Sequence, residues 1–544
     1  MSGLATVLLV GVVLLVFWPV CGHEFVAWDD THNFAANPRL NPPTIENLGW
    51  FWGHAYKDLY VPVTYTVWSG VAMVARMPVE IGSRYELNSY VFHSVNLLLH
   101  MASAVIVLVI LRGLTRSEWA AWCGAMVFAV HPVQVESVAW ASGTKDVLAG
   151  LLGLCAIGQY LKYARLPSGA ERWRAIGLAS AAFVLAMLAK PSAVVVPVVA
   201  GILDWGVLRR PVSRTWLPLG SWLVMCIPVI VVARIVQPAE SLGWQPALWQ
   251  RPMVAADALA FYVRQLMAPV WVCIDYGRSP AWLWSSWQVY LTWIVPVALG
   301  AMVMKLGRGL LAAGVCVFVA TLLPVLGLVS FDFQAYSTTA DHYLYLAMLG
   351  PAIVVAGIVD RFAGRMLATA VMAIVVAGAW SFVLCWNWRD SETLFTHTLA
   401  VNPRRLAGNV NLGKVRVQQA NTAAGQANRA EAERLSSEAI ALYRRALEVA
   451  PSDWQVHNNL ALAYKLRRQW AKAAEHFRAA VRLLPGSAEL HTSLGSMLGN
   501  HGDLDGAIAE FHEALRIEPA YGPAQANLAT ALAIKQRAGA GGGK

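Results

Sequence analysis

The sequence predicts an all-α protein in two parts: a polytopic membrane helix bundle, then a solenoid of paired helices. Three observations carry that reading. Of 544 residues, 57% are hydrophobic and only 14% charged, where a soluble chain carries about 25% charged residues. Apolar stretches of span length recur from the N-terminus to about residue 387. Beyond that point, prolines return every 34 residues in a polar segment rich in Ala and Leu. With a mean hydropathy of +0.49, a single water-soluble domain and a disordered chain are both excluded.

A membrane-crossing helix needs about 20 mostly apolar residues. Eleven segments qualify, roughly 4–20, 90–111, 119–140, 147–163, 175–190, 192–208, 216–235, 286–304, 309–328, 343–359 and 366–387. The first lacks a basic leader and a small-x-small cleavage site, and Trp18-Pro19-Val20-Cys21 is a poor lipobox. An uncleaved first helix is therefore expected.

Basic residues mark alternate short loops: Arg112 and Arg116; Lys162, Arg165, Arg172 and Arg174; Arg209, Arg210 and Arg214; Lys305 and Arg308; Arg361 and Arg365. Such loops face the cytoplasm. The opposite set then faces outward: the loop 21–89, the turns near 141–146 and 190, the stretch 236–285, and 329–342. Eleven spans with a cytoplasmic N-terminus carry the C-terminal half outside. The same bias accounts for the net charge of +10, and without a basic helix interleaved with aromatics no nucleic-acid partner is expected. The seven cysteines are scattered, none in a CxxC, so neither a disulfide framework nor a zinc site is indicated.

The second half repeats. Pro451, Pro485 and Pro519 are spaced by 34 and 34 residues; Pro485 closes a unit that reads Leu460, Ala461, Tyr464, Ala473, Phe477, Ala480, and Pro519 one that reads Leu494, Gly495, Leu498, Ala507, Phe511, Ala514. Small residues let two antiparallel helices pack closely, an aromatic fills the gap and proline ends the second helix, the tetratricopeptide pattern. An earlier unit, with Leu412, Gly413, Ala439, Tyr443 and Ala446, lies between Pro403 and Pro451 and holds 14 extra residues, expected as an insertion within 418–434. Leu528, Ala529 and Leu532 begin a capping helix. The expected domains are 1–387 (membrane), 388–536 (repeats) and 537–544 (a disordered Ala/Gly tail).

Ionisable residues gather on the outward side. Asp29 and Asp30 follow the first span; adjacent carboxylates at a membrane boundary are desolvated and mutually repelled, which suits a general base or a metal ligand. His131 and Glu136 lie within an apolar stretch, Lys145-Asp146 opens the next span, and Lys190-Pro191 separates two more. Asp341-His342-Tyr343 starts the tenth span, and Tyr262, Arg264 and Arg278 occupy the outer stretch, where 253–270 predicts a helix along the surface. Charges at span ends line cavities more often than lipid, although lysine also snorkels. No P-loop, dinucleotide-binding, nucleophile-elbow or HExxH motif occurs. His93 and His100, seven residues apart in one span, read as a packing pair.

Several strings, in order along nearly the whole chain, point to one family. They are Trp28-Asp29-Asp30 with Asn37-Pro38, Phe92-His93-Ser94-Val95-Asn96 through His100, His131-Pro132 with Glu136-Ser137-Val138-Ala139-Trp140, and Lys145-Asp146. Lys190-Pro191 with Asp204, Asp341-His342-Tyr343 with Tyr345, and Trp388-Arg389-Asp390-Ser391-Glu392 through Phe395 complete the set. The chain resembles a bacterial relative of the transmembrane and tetratricopeptide-repeat-containing O-mannosyltransferases, of the GT-C superfamily. It departs from that pattern at Ser142-Gly143-Thr144, where an acidic and a basic residue are expected, and at His342, where arginine is more frequent.

The resemblance implies a GT-C-type bundle in the bacterial inner membrane, with the repeats on the periplasmic side. It implies an inverting transferase that moves mannose or another hexose from a polyprenyl-phosphate donor to a hydroxyl of an exported protein or glycan. Asp29 or Asp30 would be the base, with Glu136 in the catalytic set. Lys145, Lys190, Arg264 and His342 would face the donor phosphate, and His131, Asp146, Asp341 and Tyr343 would orient the site. A lipid monophosphate leaving group requires no metal, although Asp29 and Asp30 would be its ligands if a divalent ion bound. The repeats would meet the acceptor or a protein partner. A repeat scaffold without activity and a lipid-linked glycan transporter are the competing readings; broken helices with mid-bilayer charges would mark the transporter.

Overall fold

The computed structural model describes residues 2–81, 84–237, 245–362 and 364–541. These form two compact units, Met1–Leu394 and Phe395–Lys544. The chain is almost wholly helical, and among the described residues a single antiparallel hairpin, β1 (Arg76–Ile81) with β2 (Arg84–Leu87), is the only sheet.

The first unit opens with α1 (Ser2–Phe17), followed by α2 (Ile45–Gly53) and α3 (Pro62–Ala75) in the first loop. Next come α4 (Ser89–Leu114), α5 (Glu118–Val130), the one-turn α6 (Val135–Ala139), α7 (Thr144–Arg165), α8 (Ala170–Ala189), α9 (Val196–Leu203) and α10 (Val212–Val236). The outer stretch, of which 238–244 lie outside the described residues, forms α11 (Arg251–Met267) and α12 (Pro280–Trp284). The unit continues through α13 (Ile294–Leu306), α14 (Leu310–Leu322), α15 (Leu344–Ala347), α16 (Leu349–Phe362) and α17 (Gly364–Cys385). Asn88 and Ser117 cap α4 and α5 through their side chains, supplying acceptors to N–H groups that the helix leaves unpaired.

A helix stands at every one of the eleven predicted spans, but their lengths differ from the expectation. Among the described residues eight are long and apolar enough to cross a membrane, including Gly3–Gly22, Ser89–Leu114 and Ala141–Arg165. A ninth is broken: Asp341–Ala347 and Leu349–Phe362 meet at 50°. Pro351 explains the break, because it has no N–H to offer the Ala347 carbonyl one turn back. The helices in predicted spans 119–140 and 309–328 are short, Glu118–Val130 and Leu310–Val325. His131-Pro132 ends the former, since a residue preceding proline is driven out of helical geometry, and 131–143 becomes a chain of short turns. The protein is a multi-pass membrane protein.

Glycines set the closest approaches in the bundle. A Cβ on Gly124 of α5 would lie 2.5 Å from the Ala352 carbonyl of α16, and one on Gly314 of α14 would lie 2.8 Å from that of Gly350. Without a hydrophobic drive between helices in lipid, such backbone contact is what holds neighbours together. At the end bearing the basic loops, Asp360 accepts from the Arg116 and Ser117 amides, each at 2.9 Å.

The first unit reaches to Leu394 rather than residue 387. Glu24 N donates to Arg389 O at 2.9 Å and Ala27 N to Ser391 Oγ at 2.8 Å, which ties 388–394 to the first loop.

The second unit begins within α18 (Ser391–Val401) and stacks α19 (Leu406–Gly425), α20 (Arg429–Val449), α21 (Trp454–Leu466), α22 (Trp470–Leu483), α23 (Ala488–His501), α24 (Leu504–Ile517) and α25 (Gly522–Gly541). Tyr443, Tyr464, Phe477 and Phe511 fill its core. Gly413 and Gly495 admit the rings of Tyr443 and Phe511, which a Cβ would meet at 2.6 and 2.7 Å.

The 14 extra residues of the first repeat form no inserted loop. The paired helices α19 and α20 have 20 and 21 residues where α21 and α22 have 13 and 14, seven more in each. Seven residues are close to two helical turns, so both helices lengthen while their packing faces drift only ~20°. The three-residue connections are alike, with Ala427 and Arg468 at φ 59° and 54°. The helix α25 runs to Gly541, so 537–541, expected as disordered, are helical; alanine favours helix and no proline intervenes. Residues 542–544 lie outside the described part.

Candidate functional site

The site is built on the first loop and the turns between α5 and α7. After α1 the chain turns through Trp18–Gly22, runs extended, and winds into a wide turn at Thr31–Ala35. Asp30, at its start, is wholly buried. Its Oδ2 accepts from Val26 N at 3.0 Å, and its Oδ1 from Ser142 N at 2.9 Å and Ser142 Oγ at 2.6 Å. Asn33 Nδ2 donates to the same Ser142 hydroxyl at 2.9 Å. Burial pushes the Asp30 carboxyl up to about 7; the three donors oppose this and Asp29 adds slightly to it.

Asp29 points elsewhere. Its carboxylate is 45% exposed and lies 3.7 Å from Lys145 Nζ. Lys145 in turn sits 4.7 Å over the Trp140 ring, a cation–π contact. The neighbours that composition could not separate therefore differ: Asp30 pins the loop, while Asp29 is presented beside a cation.

The receiving turn is rigid. Asn96 of α4 donates to Trp140 O at 2.8 Å and Ala141 O at 3.3 Å, and accepts from Thr144 Oγ1 at 2.6 Å. A Cβ on Gly143 would overlap the Ser137 carbonyl, so glycine is required for close approach there.

A second cluster lies on the other side of Trp140, whose ring centroid is 5.8 Å from that of His342. Glu136 uses both oxygens on the segment before α15: Oε2 accepts from Asp341 N at 3.0 Å and Oε1 lies 2.6 Å from His342 Nδ1. Asp341 accepts from Tyr276 OH at 2.6 Å and Gln265 Nε2 at 3.3 Å, and Gln265 also donates to the Tyr276 oxygen at 2.7 Å. Burial, with Asp341 beside it, pushes the Tyr276 phenol well above its ordinary value, so it remains an O–H donor. Lys190 pairs with Asp146, and its Nζ stands 5.3 Å over the Tyr343 ring. The second Asp146 oxygen is buried without a hydrogen-bond partner. Asp146, Lys190, His342, Tyr343, Tyr345 and Thr321 line a small cavity there.

The predicted residues thus divide three ways. Asp29, Asp30 and Lys145 form one group; Glu136, Asp146, Lys190, Asp341, His342 and Tyr343 form another, joined to the first through Trp140. His131 stands apart, and Arg264 makes no ion pair with either group, although its charge acts on Asp341 and Tyr276. His131 accepts from Val133 N at 3.4 Å and its Nε2 lies 3.1 Å from Leu266 O, so it anchors the end of α11. Arg264 is exposed on α11, its guanidinium 4.9 Å from the Phe261 ring. No group of three or more His, Cys, Asp or Glu able to hold a metal occurs among the described residues. Both Asp30 oxygens are taken by donors, so an ion shared between Asp29 and Asp30 does not fit this arrangement.

Sequence reasoning missed Ser142 as a partner of Asp30, and with it Asn96, Gln265, Tyr276 and the ion pair of Asp257 with Arg278. Ser142 belongs to the turn Ser142-Gly143-Thr144, which the sequence marks only for lacking an acidic and a basic residue; a serine carries no sign of which distant carboxylate it will serve.

The tetratricopeptide-repeat family model matches residues 424–488. Protein O-mannosyl-transferase Tmtc2 of Drosophila melanogaster is 26% identical over 35% of this chain and 21% of its own length. Protein O-mannosyl-transferase TMTC3 of Homo sapiens is 21% identical over 88% of this chain and 55% of its own. The chain is related to this group at low identity, and spans little more than half the length of its human TMTC3 relative. Among solved structures, MamA is similar over 27% of this chain and 77% of its own, with 17% identity and a TM-score of 0.24.

Proposed function

We propose that this protein is a GT-C-type membrane glycosyltransferase that moves a hexose from a polyprenyl-phosphate donor to a hydroxyl of an exported protein or glycan, with Asp29 as general base. The observation that carries this reading is the division between Asp29 and Asp30. One carboxylate fixes the loop and its neighbour stands half-exposed, 3.7 Å from Lys145. A base must reach its proton, and a leaving phosphate needs cations; a partly exposed carboxylate beside an ammonium supplies both. The names of the related O-mannosyl-transferases support the class of reaction.

In the proposed step the acceptor oxygen attacks the anomeric carbon as its proton passes to Asp29. The bond from that carbon to the phosphate oxygen breaks, its electron pair leaves on the lipid phosphate, and configuration inverts. Lys145 stands next to Asp29 to meet the developing charge. Glu136 holds His342 and the 341 amide, so that Lys190, His342 and Tyr343 keep their places around the cavity. The repeats present a helical surface to the acceptor or to a protein partner. The site faces outward from the inner membrane, with the N-terminus and the basic loops cytoplasmic.

The test compares exported glycoproteins and glycans by mass spectrometry from cells carrying the wild type, Asp29→Asn or no copy of the protein. Asp29→Asn should match the strain without the protein while inserting at wild-type level. A wild-type glycan profile from Asp29→Asn would remove Asp29 from the mechanism.

A further inference from the structure

The outer-surface chemistry leaves one cavity unused. Between α4 and α7 a slot of about 400 Å³ opens on the side of the bundle, within the ~300–1,000 Å³ of small-molecule sites. Ile106, Val109 and Ile110 of α4 and Gly158 of α7 line it, and Lys162 and Arg165 stand at one end. Both helices belong to segments long and apolar enough to cross the membrane, so the slot lies among lipid chains. Lys145 lies in the first turn of α7 and Lys162 in its last; seventeen residues at 1.5 Å each put the slot's charged end about 25 Å along the helix from the candidate site.

The charged end is set in place. Arg165 Nη2 donates to Gly113 O at 2.7 Å, and a Cβ at Gly113 would lie 2.6 Å from Arg165 Nη1. Glycine at 113 therefore lets the guanidinium lie across the end of α4. Among the described residues no carboxylate pairs with Lys162 or Arg165. An ammonium and a guanidinium at the mouth of an apolar slot match a phosphate attached to a hydrocarbon chain. Lys offers a point charge, and the remaining Arg nitrogens can fork to two oxygens. Basic pockets between membrane helices take anionic headgroups in this way.

We propose that this slot is a binding site for an anionic phospholipid, with one acyl chain between α4 and α7 and the headgroup phosphate on Lys162 and Arg165. The site is separate from the donor site and holds a structural or regulatory lipid on the face carrying the basic loops.

The test is native mass spectrometry of the full chain in detergent, titrated with phosphatidylglycerol or with phosphatidylcholine of the same chains. The wild type should retain phosphatidylglycerol at least fivefold better. Lys162→Gln with Arg165→Gln should abolish that preference. Val109→Trp, which fills the slot and leaves both cations, should lose retention by a similar factor, while Val109→Ala keeps it; the two, alike in position, control for folding. Equal retention of the two lipids overturns the proposal. So does full retention in Val109→Trp, which would mean surface charge alone, or displacement by excess glycerol 3-phosphate, which would mean a site for the free anion.

Discussion

Replacing Asp30 by asparagine measures what the buried carboxylate does for the first loop. The two side chains are alike in size, so the change is confined to one oxygen. Asp30 receives three donors: Val26 N on one oxygen, and Ser142 N and Oγ on the other. Asparagine keeps a single acceptor oxygen, which can serve the Ser142 pair; its amide nitrogen then faces the Val26 N–H and leaves it without an acceptor. A buried donor left so costs ~1–3 kcal/mol. Alanine abandons all three donors, and at ~1–3 kcal/mol for each buried donor left unpaired the loss should rise to about 3–5 kcal/mol after partial relaxation. Ser142→Ala alone removes one hydroxyl donor and should cost ~1 kcal/mol. Because the partners touch, the double variant should depart from additivity by ~0.5–3 kcal/mol.

The assay is thermal unfolding of the purified full chain in detergent at pH 7.5, read by a thiol-reactive dye. Cys123, Cys226, Cys273 and Cys385 are buried and free, so they react as the bundle opens. The expected order of midpoints is wild type, Ser142→Ala, Asp30→Asn, Asp30→Ala, from highest to lowest. The reasoning fails if Asp30→Ala unfolds with the wild type, or if the Asp30 and Ser142 effects simply add. Asp29→Asn is the companion: its carboxylate is 45% exposed and 3.7 Å from its partner, so its midpoint should stay within the small range of exposed pairs, ~0–1 kcal/mol.

Three further outcomes are expected. Burial raises the Asp30 carboxyl from 3.8 to about 7, so the folded state holds an extra proton between those values; its stabilising contribution is fullest at low pH and declines as pH rises towards 7, by up to ~1.4 kcal/mol per unit. The gap in unfolding midpoint between wild type and Asp30→Asn should therefore narrow from pH 5 to 8, and a widening gap would contradict the assignment. Lys190→Gln strands the buried Asp146 carboxylate and should cost about 3–5 kcal/mol, with partial recovery on adding Asp146→Asn; no recovery would mean that the two do not act as a pair. Gly413→Leu drives a side chain into the Tyr443 ring, 2.6 Å from the first added carbon, and should destabilise the repeats by ~1–3 kcal/mol, seen as earlier proteolysis of 395–541 with the membrane unit intact.

Periodicity carried most of the architecture. Runs of apolar residues place helices because a membrane leaves the backbone no other partner for its N–H and C=O groups, and a 34-residue return of proline places repeats. Neither signal carries helix length. The third and ninth spans look long enough by composition, yet His131-Pro132 and Leu323-Pro324 end their helices early, because proline acts on the backbone rather than on hydropathy. The first repeat shows the converse. Its extra residues look like a loop when counted between prolines, but they divide equally between two helices, since seven residues preserve a packing face in each.

The candidate site was legible as a set of residues but not as a set of partners. Asp29 and Asp30 have the same chemistry and adjacent positions, and only the fold gives one to Ser142 and the other to Lys145. The same pairing limits the cations of the proposed reaction. Lys190 is matched by Asp146, the His342 ring is held by Glu136, and Arg264 lies exposed over Phe261. A cation in close contact with a buried carboxylate has much of its field cancelled before a phosphate arrives. Lys145 faces its carboxylate at 3.7 Å, across an exposed group, and loses less than Lys190. Moreover, when Asp29 takes the acceptor proton its negative charge disappears, and the field of Lys145 turns wholly towards the leaving phosphate. In the proposed step, base and cation are thus coupled: the proton transfer that activates the nucleophile also releases the ammonium to stabilise the leaving group. Lys145→Gln should accordingly lower transfer almost as far as Asp29→Asn while leaving the unfolding midpoint nearly unchanged, whereas a variant that keeps most of its transfer would place the phosphate on the second cluster.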